Sequence, residues 1–484
     1  MKKKDLRSKE WFDNPNDPGL TALYLERYLN YGLKKKDLQS GKPIIGIAQS
    51  GSDLSPCNRH FQALSKTIKD GIREAGGVPM EFPTHPIQET GKRPTAALDR
   101  NLSYLSLVEV LFGYPIDGVI LTTGCDKTTP AALMAAATVN IPSIVLSGGP
   151  MLDGSYKGKK AGSGTIIWEA RKLHAKGEIN YDEFMDMAAA SAPSIGHCNT
   201  MGTASSMNSI AEALGMSLTG GAIIPAPYKK RESISFETGK RIVEMVHEDL
   251  TPSKIMTKEA FENAIYVASA IGASSNCPPH LTAIARHMGI DLDIDSWQKL
   301  GHDIPLLVNC QPAGEHLMEG FFKAGGIPAI MQELMKNNKL HKNVMTVTGK
   351  TVEENLNIKI DVDGNVIKSF KNPLVENAGF IVMKSNFFSS AVMKTSVISE
   401  EFRKRYLSNP KNSEFVNSVK QIIRDNLSEG EIADSIRKVL YRMGYAGASV
   451  MVTTAPGSQD EAIVRLNVKR DSTAEIIENY YGKG

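Results

Sequence analysis

Three cysteines are the residues of this 484-residue chain best suited to metal chemistry. Cys57, Cys125 and Cys198 each lie in a loop that leads into a predicted helix. Backbone N–H groups and the positive end of a helix dipole lower the pKa of a thiol, which favours the thiolate that binds metal. Three such thiolates could hold an iron–sulfur cluster or zinc. The alternative is that all of them are buried side chains that behave as small hydrophobic groups.

Two charged residues follow Cys125 directly in the sequence. The carboxylate of Asp126 suits magnesium or manganese, whereas thiolate suits iron, so this loop could bridge two kinds of metal. The alternatives are that Asp126 caps a helix and that Lys127 is a solvated surface amine. Cys277 and Cys310 share no such setting, and we interpret them as buried thiols.

Two further polar features have both a functional and a structural interpretation. His197 precedes Cys198 and could tune a cluster by hydrogen bonding, although a histidine in a loop is more often structural. The basic run Lys229-Lys230-Arg231 could attract an acid substrate. We favour the interpretation that this run is a solvated charged surface.

The elements that must position the cysteines alternate in the way typical of a parallel α/β sheet. From about residue 42 to 221, short β-branched runs alternate with helical patterns. Strands are predicted over 43–48, 116–123 and 141–146. In an open parallel sheet the loops after the strands collect at one edge, where ligands bind. We therefore expect the cysteine loops to converge.

The remainder of the chain has a different character. Residues 235–350 are mainly helical in pattern, with a possible buried strand at 308–310. A hairpin is predicted over 358–366 around an Asp-Gly-Asn turn, followed by a strand at 380–383. The elements predicted beyond Pro410 are a helix over 413–427, a helix from a capping box at Ser428 to Met443, strands over 449–454 and 462–468, and a closing helix from about Ser472.

These patterns predict four segments. They are an N-terminal arm (1–41), an αβα domain carrying the metal site (42–368), the start of a β domain (369–410) and an α+β tail (411–484). The fold class predicted is therefore α/β, with a parallel-sheet domain followed by a smaller, atypical C-terminal α+β region.

Composition limits the function further. The chain is 41% hydrophobic and 23% charged, as expected of a soluble globular protein with more than one domain. Its net charge of +3 provides no strong field for nucleic acid or an anionic membrane, so the predicted partner is a small molecule. Five widely spread cysteines are not a disulfide framework. The longest apolar run, 131–139, is shorter than the roughly 20 residues that span a membrane. We therefore expect a cytoplasmic protein.

Three motifs make the chain resemble a known family. They are Thr-Gly-Cys-Asp-Lys-Thr-Thr-Pro at 123–130, Leu-Ser-Gly-Gly-Pro-Met at 146–151 and His-Cys-Asn-Thr-Met-Gly-Thr-Ala-Ser at 197–205. From roughly residue 11 to 409 the chain is similar to the dihydroxy-acid and sugar-acid dehydratase family, and in particular to its pentonate dehydratase branch. The resemblance implies a hydro-lyase, homodimeric or homotetrameric, that converts a 2,3-dihydroxy acid into a 2-keto-3-deoxy acid.

The resemblance also implies cofactors and their ligands. It favours a 2Fe–2S over a 4Fe–4S cluster, together with magnesium or manganese. Glu89 and Asp126 match the carboxylates on the divalent ion, and Lys127 matches a lysine carried as a carbamate on that ion. The residues that match the cluster ligands are Cys57, Cys125 and Cys198. Three thiolates leave one iron without a fourth protein ligand, and this iron can act as a Lewis acid on the departing C3 hydroxyl.

The resemblance stops after Asn409. The family's C-terminal β-barrel domain supplies a further metal glutamate and a serine that acts as the base, and 411–484 show no counterpart of either. Ser458 is a candidate substitute, although it also fits a plain hairpin turn. The base is therefore unknown. The alternative function is a catalytically impaired homologue that binds cluster and acid and acts as an oligomer partner or regulator. A structural zinc site at the same cysteines is a third hypothesis.

Overall fold

The computed structural model divides the chain into two compact units. The first comprises Met1–Ile381 with Val392–Val397, and the second Val382–Ala391 with Ile398–Gly484. The residues that the structure describes are 5–30, 32–91, 95–384, 389–399, 431, 433–436 and 438, and the backbone of 449–454, 461–470 and 473–482. The four segments expected from the sequence stay a prediction.

The described part of the first unit is mostly helical. Its helices before residue 140 are α1 (Lys9–Phe12), α2 (Pro18–Leu29), α3 (Lys35–Leu38), α4 (Phe61–Glu74), α5 (Ala97–Gly113) and α6 (Thr128–Val139), with a 3-10 turn at Glu89–Gly91. Its later helices are α7 (Thr165–Ala175), α8 (Tyr181–Ala190), α9 (Thr203–Ala213), α10 (Lys229–Glu248), α11 (Pro252–Ile255), α12 (Lys258–Ala270), α13 (Cys277–His287), α14 (Asp295–Gly301), α15 (Met318–Lys323), α16 (Gly326–Lys336) and α17 (Val352–Leu356). The helical pattern predicted over 235–350 is confirmed. None of the helices in the described residues is long and apolar enough to cross a membrane.

A four-stranded parallel sheet lies at the centre of this unit. Its strands are β1 (Ile44–Gln49), β2 (Val78–Pro83), β3 (Gly118–Thr123) and β4 (Ser143–Ser147), in the order β2-β1-β3-β4. The predicted parallel α/β architecture is confirmed, and β1, β3 and β4 lie where the sequence predicts strands. The sequence did not predict β2, because two prolines and a glutamate interrupt its apolar pattern. Such a strand is tolerated at a sheet edge, where only one side needs ladder hydrogen bonds.

Helices cover both faces of the sheet. Every residue of β1 and β3 is buried, as expected when neither face meets water. A side chain at Gly118 would contact Ile242 and Val246 of α10. Leu121 lies three positions along the same strand and therefore faces the other way, and it lines a small cavity shared with α5 and α6. The two layers of helices thus enclose β3.

Two predictions in the second half of this unit are wrong. Residues 308–310 form only isolated bridges rather than a strand, with Val308 opposite Ile367. The predicted hairpin over 358–366 keeps its turn, since the N–H groups of Val366 and Ile367 bond to the Asp363 carbonyl. Its arms do not pair within the described residues, because the side chain of Gln332 on α16 binds the carbonyl of Ile358 instead.

Four short strands complete the description up to residue 399. The antiparallel pair β5 (Gly154–Tyr156) and β6 (Lys159–Ala161) precedes α7, and β7 (Phe380–Met383) pairs with β8 (Ala391–Lys394). The strand predicted over 380–383 is confirmed. Ala161 of β6 packs in a small cluster with Ile166 and Ala170 of α7 and Met187 of α8.

A three-stranded antiparallel sheet forms the end of the second unit. It contains β9 (Ser449–Thr454), β10 (Glu461–Arg470) and β11 (Thr473–Gly482), in the order β11-β10-β9. The two predicted strands are confirmed, but the closing helix is wrong because Thr473–Gly482 pairs with β10 along its whole length. Residues 431, 433–436 and 438 are helical, as predicted for the helix that ends at Met443. The predicted helix over 413–427 lies outside the described residues.

Two glycines allow α4 and α10 to approach closely on one face of the sheet. A Cβ atom added at Gly71 would lie 2.1 Å from the carbonyl oxygen of Phe236, and one added at Gly239 would lie 2.4 Å from that of Ile68. Both distances are far below van der Waals contact, and the neighbouring atoms are backbone. A side chain at either position would therefore force the helices apart.

We predict that Gly239→Ala lowers the free energy of unfolding by about 1–3 kcal/mol through overpacking of this contact. Chemical denaturation followed by circular dichroism measures the change. Gly113→Ala is the matched control, because a Cβ atom there would meet nothing within 4 Å. Equal stability of the two variants would contradict the close helix contact.

Candidate active site

Three loops meet at the carboxyl edge of the parallel sheet. Cys57 lies between β1 and α4, and Cys125 lies between β3 and α6. Cys198 precedes α9 and reaches the same edge because its neighbour His197 pairs with the loop after β4. The N–H of His197 bonds to the Gly149 carbonyl at 3.0 Å, and the N–H of Met151 bonds to the His197 carbonyl at 2.9 Å. The structure therefore brings the three cysteine loops together, as the sequence predicts.

The three thiols interact with one another. The interaction between the Cys57 and Cys125 thiols, together with burial, raises the pKa of Cys57 well above its usual range, and the same interaction lowers the pKa of Cys125. Burial, and the negative charge that Cys125 can carry, raise the pKa of Cys198 to about 11. Cys125 is therefore the thiol that ionises first, and its neighbours resist ionisation until a cation compensates the added charge.

Histidine, cysteine, aspartate and glutamate in the described residues form no group of three or more that could hold one metal ion. A structural zinc site needs such a group, since four donors surround a single ion. The ligands of a cluster bind different iron atoms and lie farther apart than the ligands of one ion. The three thiols of the candidate site thus interact without forming a group of this kind in the described residues.

The amine of Lys127 lies between two carboxylates. Its Nζ is 3.2 Å from Oε2 of Glu89 and 3.5 Å from Oδ1 of Asp126, and Lys127 is only 3% exposed. The solvated surface amine considered from the sequence is therefore wrong. Burial raises the pKa of Asp126 to about 6, a shift that Lys127 opposes and Glu89 reinforces. Asp126 does not cap α6, because Lys127 occupies the N-cap position.

Glu89 is held by the residues that begin α5. Its carboxylate accepts a hydrogen bond from the Thr95 hydroxyl at 2.7 Å and another from the Ala96 N–H at 3.2 Å. The sequence alone assigned no role to Thr95 or Ala96. The three residues predicted to surround a divalent ion are thus adjacent, and one helix start orients one of them.

Two buried asparagines fix the turn that carries Cys125. Asn58 accepts the N–H of Cys125 at 2.8 Å, and Asn208 donates to the Gly124 carbonyl at 3.2 Å. A Cβ atom on Gly124 would lie 2.3 Å from Oδ1 of Asn58, so the turn requires glycine at this position. The hydroxyl of Thr128 closes the turn by donating to the Cys125 carbonyl at 2.7 Å. Asn58 directly follows Cys57, and Asn208 lies shortly after the motif at 197–205; no other sequence signal points to either residue.

Arg231 is buried, so the prediction of a solvated run over 229–231 is wrong for this residue. Its guanidinium donates to the Ser147 carbonyl at 2.6 Å, to the Gly221 carbonyl at 2.9 Å and to the Ile224 carbonyl. Burial lowers the pKa of Arg231 to about 9, which the nearby Glu212 partly offsets. Arg231 thereby connects the end of β4 to the loop before α10. The sequence did not indicate this role, because the three carbonyls come together only in the folded chain.

Glu212 is the buried acid of the same region. It accepts the N–H groups of Gly220 at 2.7 Å and Ala222 at 2.9 Å. Burial raises its pKa to about 7, although these hydrogen bonds and Arg231 act in the opposite direction. Glu212 and Arg231 therefore both form hydrogen bonds with the backbone of the loop between α9 and α10.

Two buried histidines line the loop after β4. Nε2 of His60 lies 2.9 Å from the Gly148 carbonyl, and Nδ1 of His197 lies 3.0 Å from the Cys198 carbonyl. Burial lowers the pKa of His60 to about 4 and the pKa of His197 to about 3, so both rings are neutral near pH 7. Cys277 and Cys310 are buried, as interpreted from the sequence.

A cavity of about 1030 Å³ lies away from these loops, at the free edge of β2. Trp11, Tyr28 and Phe82 line it, together with Lys69 and Arg73. None of the six predicted site residues contributes to its wall. The convergence of thiols, carboxylates and an amine identifies the candidate site better than cavity size does, because these groups can do chemistry.

We predict that Glu212 makes stability fall as pH rises from about 4.5 to 7. The folded protein retains a proton on Glu212 up to a pKa of about 7, whereas the unfolded chain loses it near the ordinary value of 4.5. The stabilisation is therefore fully present below pH 4.5 and is lost as pH rises through 7, by at most about 3 kcal/mol. Denaturation of wild type and Glu212→Gln across this interval measures the difference.

The control for this measurement is Glu237→Gln, at an exposed position of α10. The unfolding free energies of Glu237→Gln and wild type should run parallel across the interval, while those of Glu212→Gln and wild type diverge. Parallel behaviour of all three proteins would show that Glu212 does not bind a proton in this range.

Sequence comparisons show which known proteins the chain is similar to. A family model for the dihydroxy-acid/6-phosphogluconate dehydratase N-terminal domain matches residues 42–355. D-xylonate dehydratase of Caulobacter vibrioides is 60% identical over 405 residues, which cover 84% of this chain and 68% of the relative. L-arabinonate dehydratase of Rhizobium leguminosarum bv. trifolii is 44% identical, covering 82% of this chain and 69% of the relative. Dihydroxy-acid dehydratase of Halothermothrix orenii is 36% identical, covering 76% and 68%. The chain belongs to the dihydroxy-acid/6-phosphogluconate dehydratase family.

Proposed function

We propose that the chain is a hydro-lyase that dehydrates a sugar acid, a pentonic acid, to a 2-keto-3-deoxy acid. The observation that carries the proposal is the buried Lys127 between Glu89 and Asp126, directly beside the Cys57–Cys125 thiol pair. Soft and hard metal donors therefore lie next to each other at the sheet edge where ligands bind. The relatives named for D-xylonate and L-arabinonate support the choice of a pentonic acid.

We further propose that the cysteines hold an iron–sulfur cluster, of the 2Fe–2S type. The proposal is supported by the mutual interaction of the three thiols. It is also supported by the side chains of Asn58 and Ser205, which form hydrogen bonds with the backbone of Cys125 and Cys198. When bound, the cluster would supply an iron without a fourth protein ligand, which is a Lewis acid for the hydroxyl that leaves. The residues present therefore fit the group that the family resemblance implies.

Glu89 and Asp126 would hold magnesium or manganese, which would place positive charge beside the substrate carboxylate. The ammonium of Lys127 stands against this, since it lies between the two carboxylates and repels a cation. Reaction with carbon dioxide removes the obstacle. The Lys127 nitrogen forms a bond to carbon, the former ammonium gives up two protons, and the resulting carbamate offers an anionic oxygen to the metal.

The base that takes the C2 proton is not assigned to a described residue. Ser458, the candidate from the sequence, lies outside the described residues. The reason for the alternative function, a homologue that binds cluster and acid but is catalytically impaired, is that 411–484 show no recognisable counterpart of the family's serine base or metal glutamate. The two functions differ in turnover by the purified chain, which a direct assay measures.

We predict that the anaerobically reconstituted chain shows iron–sulfur absorption and, with magnesium and bicarbonate, forms a 2-keto-3-deoxy acid from one member of a panel of pentonates. Cys57→Ser should lose both the absorption and the product, because a ligand is removed. Cys277→Ser should keep both, since Cys277 is buried outside the thiol group. Optical spectra, iron and sulfide analysis and a keto-acid assay provide the measurements.

Three other results separate the alternatives. Cluster and acid binding without turnover would support the catalytically impaired homologue. Zinc without iron or sulfide would support the structural zinc site. Failure of the intact protein to assemble a cluster would exclude the proposed mechanism.

We also propose that the chain forms a homodimer or homotetramer. Helix α5 has an apolar stripe on each of two faces. Leu107 and Leu111 are buried, while the other face exposes a stripe of large apolar side chains in the described structure: Leu98 (69% exposed), Leu102 (49%), Leu105 (57%) and Phe112 (57%). A helix apolar on both faces is normally covered on both. In a two-fold dimer the same stripe meets its copy, so no second specific surface is needed.

We predict that the double variant Leu102→Asp/Leu105→Asp converts the assembly into monomers. Light scattering after size exclusion should give two or four times the chain mass for wild type and one chain mass for the variant. Ile358→Asp, at a 51% exposed position away from α5, should keep the wild-type mass. A monomeric wild type would contradict the proposal and indicate that another part of the chain covers the stripe.

A further inference from the structure

Three helices begin around Lys127. Lys127 is the N-cap of α6, and Ala96, the N-cap of α5, binds Glu89. The third helix, α13, packs against α6, and its residue His280 contacts Arg100 of α5. The N-terminus of a helix carries partial positive charge and free N–H groups. The surroundings of Lys127 therefore favour an anion.

His280 lies in the first turn of α13 and is 4% exposed. Its Nδ1 is 3.0 Å from Nη1 of Arg100, a residue of α5. A guanidinium only donates hydrogen bonds, so Nδ1 must be the nitrogen without a proton. The proton of the neutral ring is therefore on Nε2. Burial, with help from Lys127 and Arg100, lowers the pKa of His280 to about 3, which keeps the ring neutral.

Nε2 of His280 is buried and has no hydrogen-bond partner among the described residues. A buried donor without a partner destabilises the folded protein, so such a group calls for an explanation. Arg100 occupies the Nδ1 side of the ring, and Nε2 therefore points away from it. A series of short contacts connects this ring to Lys127. The Arg100 N–H bonds to the Ala96 carbonyl at 3.0 Å, the Ala96 N–H binds Glu89, and Glu89 lies 3.2 Å from Nζ of Lys127.

We propose that Nε2–H of His280 donates a hydrogen bond to a carboxylate-type anion beside Lys127. This inference rests on the proposed function, and it gives His280 a role in anion binding. Two anions share the required chemistry: the carboxylate of the sugar acid, and a carbamate formed on Lys127 itself. Arg100 fixes the tautomer and the ring orientation, so it is a positioning residue for His280.

Two substitutions of His280 distinguish the role of Nδ1 from that of Nε2. In His280→Asn the amide oxygen can still accept from Arg100, but the side chain is too short to replace Nε2–H. In His280→Gln an amide N–H can lie near the position of Nε2. His287→Asn is the matched control. It changes another histidine of α13, whose Nδ1 lies 3.0 Å from the Thr138 hydroxyl, and leaves His280 unchanged. Thermal unfolding followed by circular dichroism checks that each variant is folded.

The test has two binding measurements and does not depend on turnover. One is the ¹³C NMR carbamate signal after incubation of the full chain with ¹³C-bicarbonate. The other is calorimetric titration of the magnesium-loaded, cluster-reconstituted chain with the pentonate used above. A charge-assisted hydrogen bond contributes about 1.5–3 kcal/mol, so His280→Asn should weaken one of these by roughly 10- to 100-fold. His280→Gln should recover much of the loss, and His287→Asn should match wild type.

Loss of the carbamate signal in His280→Asn identifies the Lys127 carbamate as the anion, whereas weaker pentonate binding with an intact carbamate identifies the substrate. The inference would be overturned if His280→Asn gave the wild-type result in both measurements. It would also be overturned if the wild-type protein neither formed a carbamate nor bound the pentonate. Wild type that binds either anion but forms no product would overturn the proposed function alone.

Discussion

The turn from Gly124 to Lys127 is the constraint on which the rest of the site depends. It presents a thiol, a carboxylate and an amine in three consecutive residues between β3 and α6. The backbone of this turn must be fixed, because a small rotation would move each of the three side chains away from its partners. Asn58, in the loop before α4, and Asn208, on α9, supply that rigidity by binding the Cys125 N–H and the Gly124 carbonyl.

The site is backed by buried charge as well as by apolar packing. Arg231 and Glu212 hold the segments behind β4 with backbone hydrogen bonds, and both are fully enclosed. Burying a charged group is costly unless its hydrogen-bonding capacity is met. Both buried side chains bind the backbone in or beside loops. The loop after β4 is one of these, and it pairs with His197 and thereby positions Cys198.

Sequence reasoning succeeded where the pattern was local. The strands β1, β3 and β4 are continuous apolar runs, and the convergence of Cys57 and Cys125 follows from their positions after parallel strands. It failed at β2, where edge position permits prolines, and at residues 473–482, whose β-branched and aromatic residues pair with β10 rather than form a helix. Asn58 and Asn208 could not be assigned roles, because their partners lie 67 and 84 residues away in the sequence. The burial of Arg231 was not predicted for the same reason, since a run of basic residues does not show which of its side chains is buried.

The ion pair of Lys127 with Glu89 and Asp126 has a consequence for maturation of the protein. Two acids brought together in a buried place repel each other, and they would oppose folding if they had to wait for a metal. An amine from the same chain takes the place of that metal and keeps the carboxylates neutralised from the moment the loops close. Folding of this part of the chain therefore does not require an added cation to neutralise the two acids. Under the proposed function, the scaffold could form before the metal is bound, and the amine of Lys127 would give way when the metal binds.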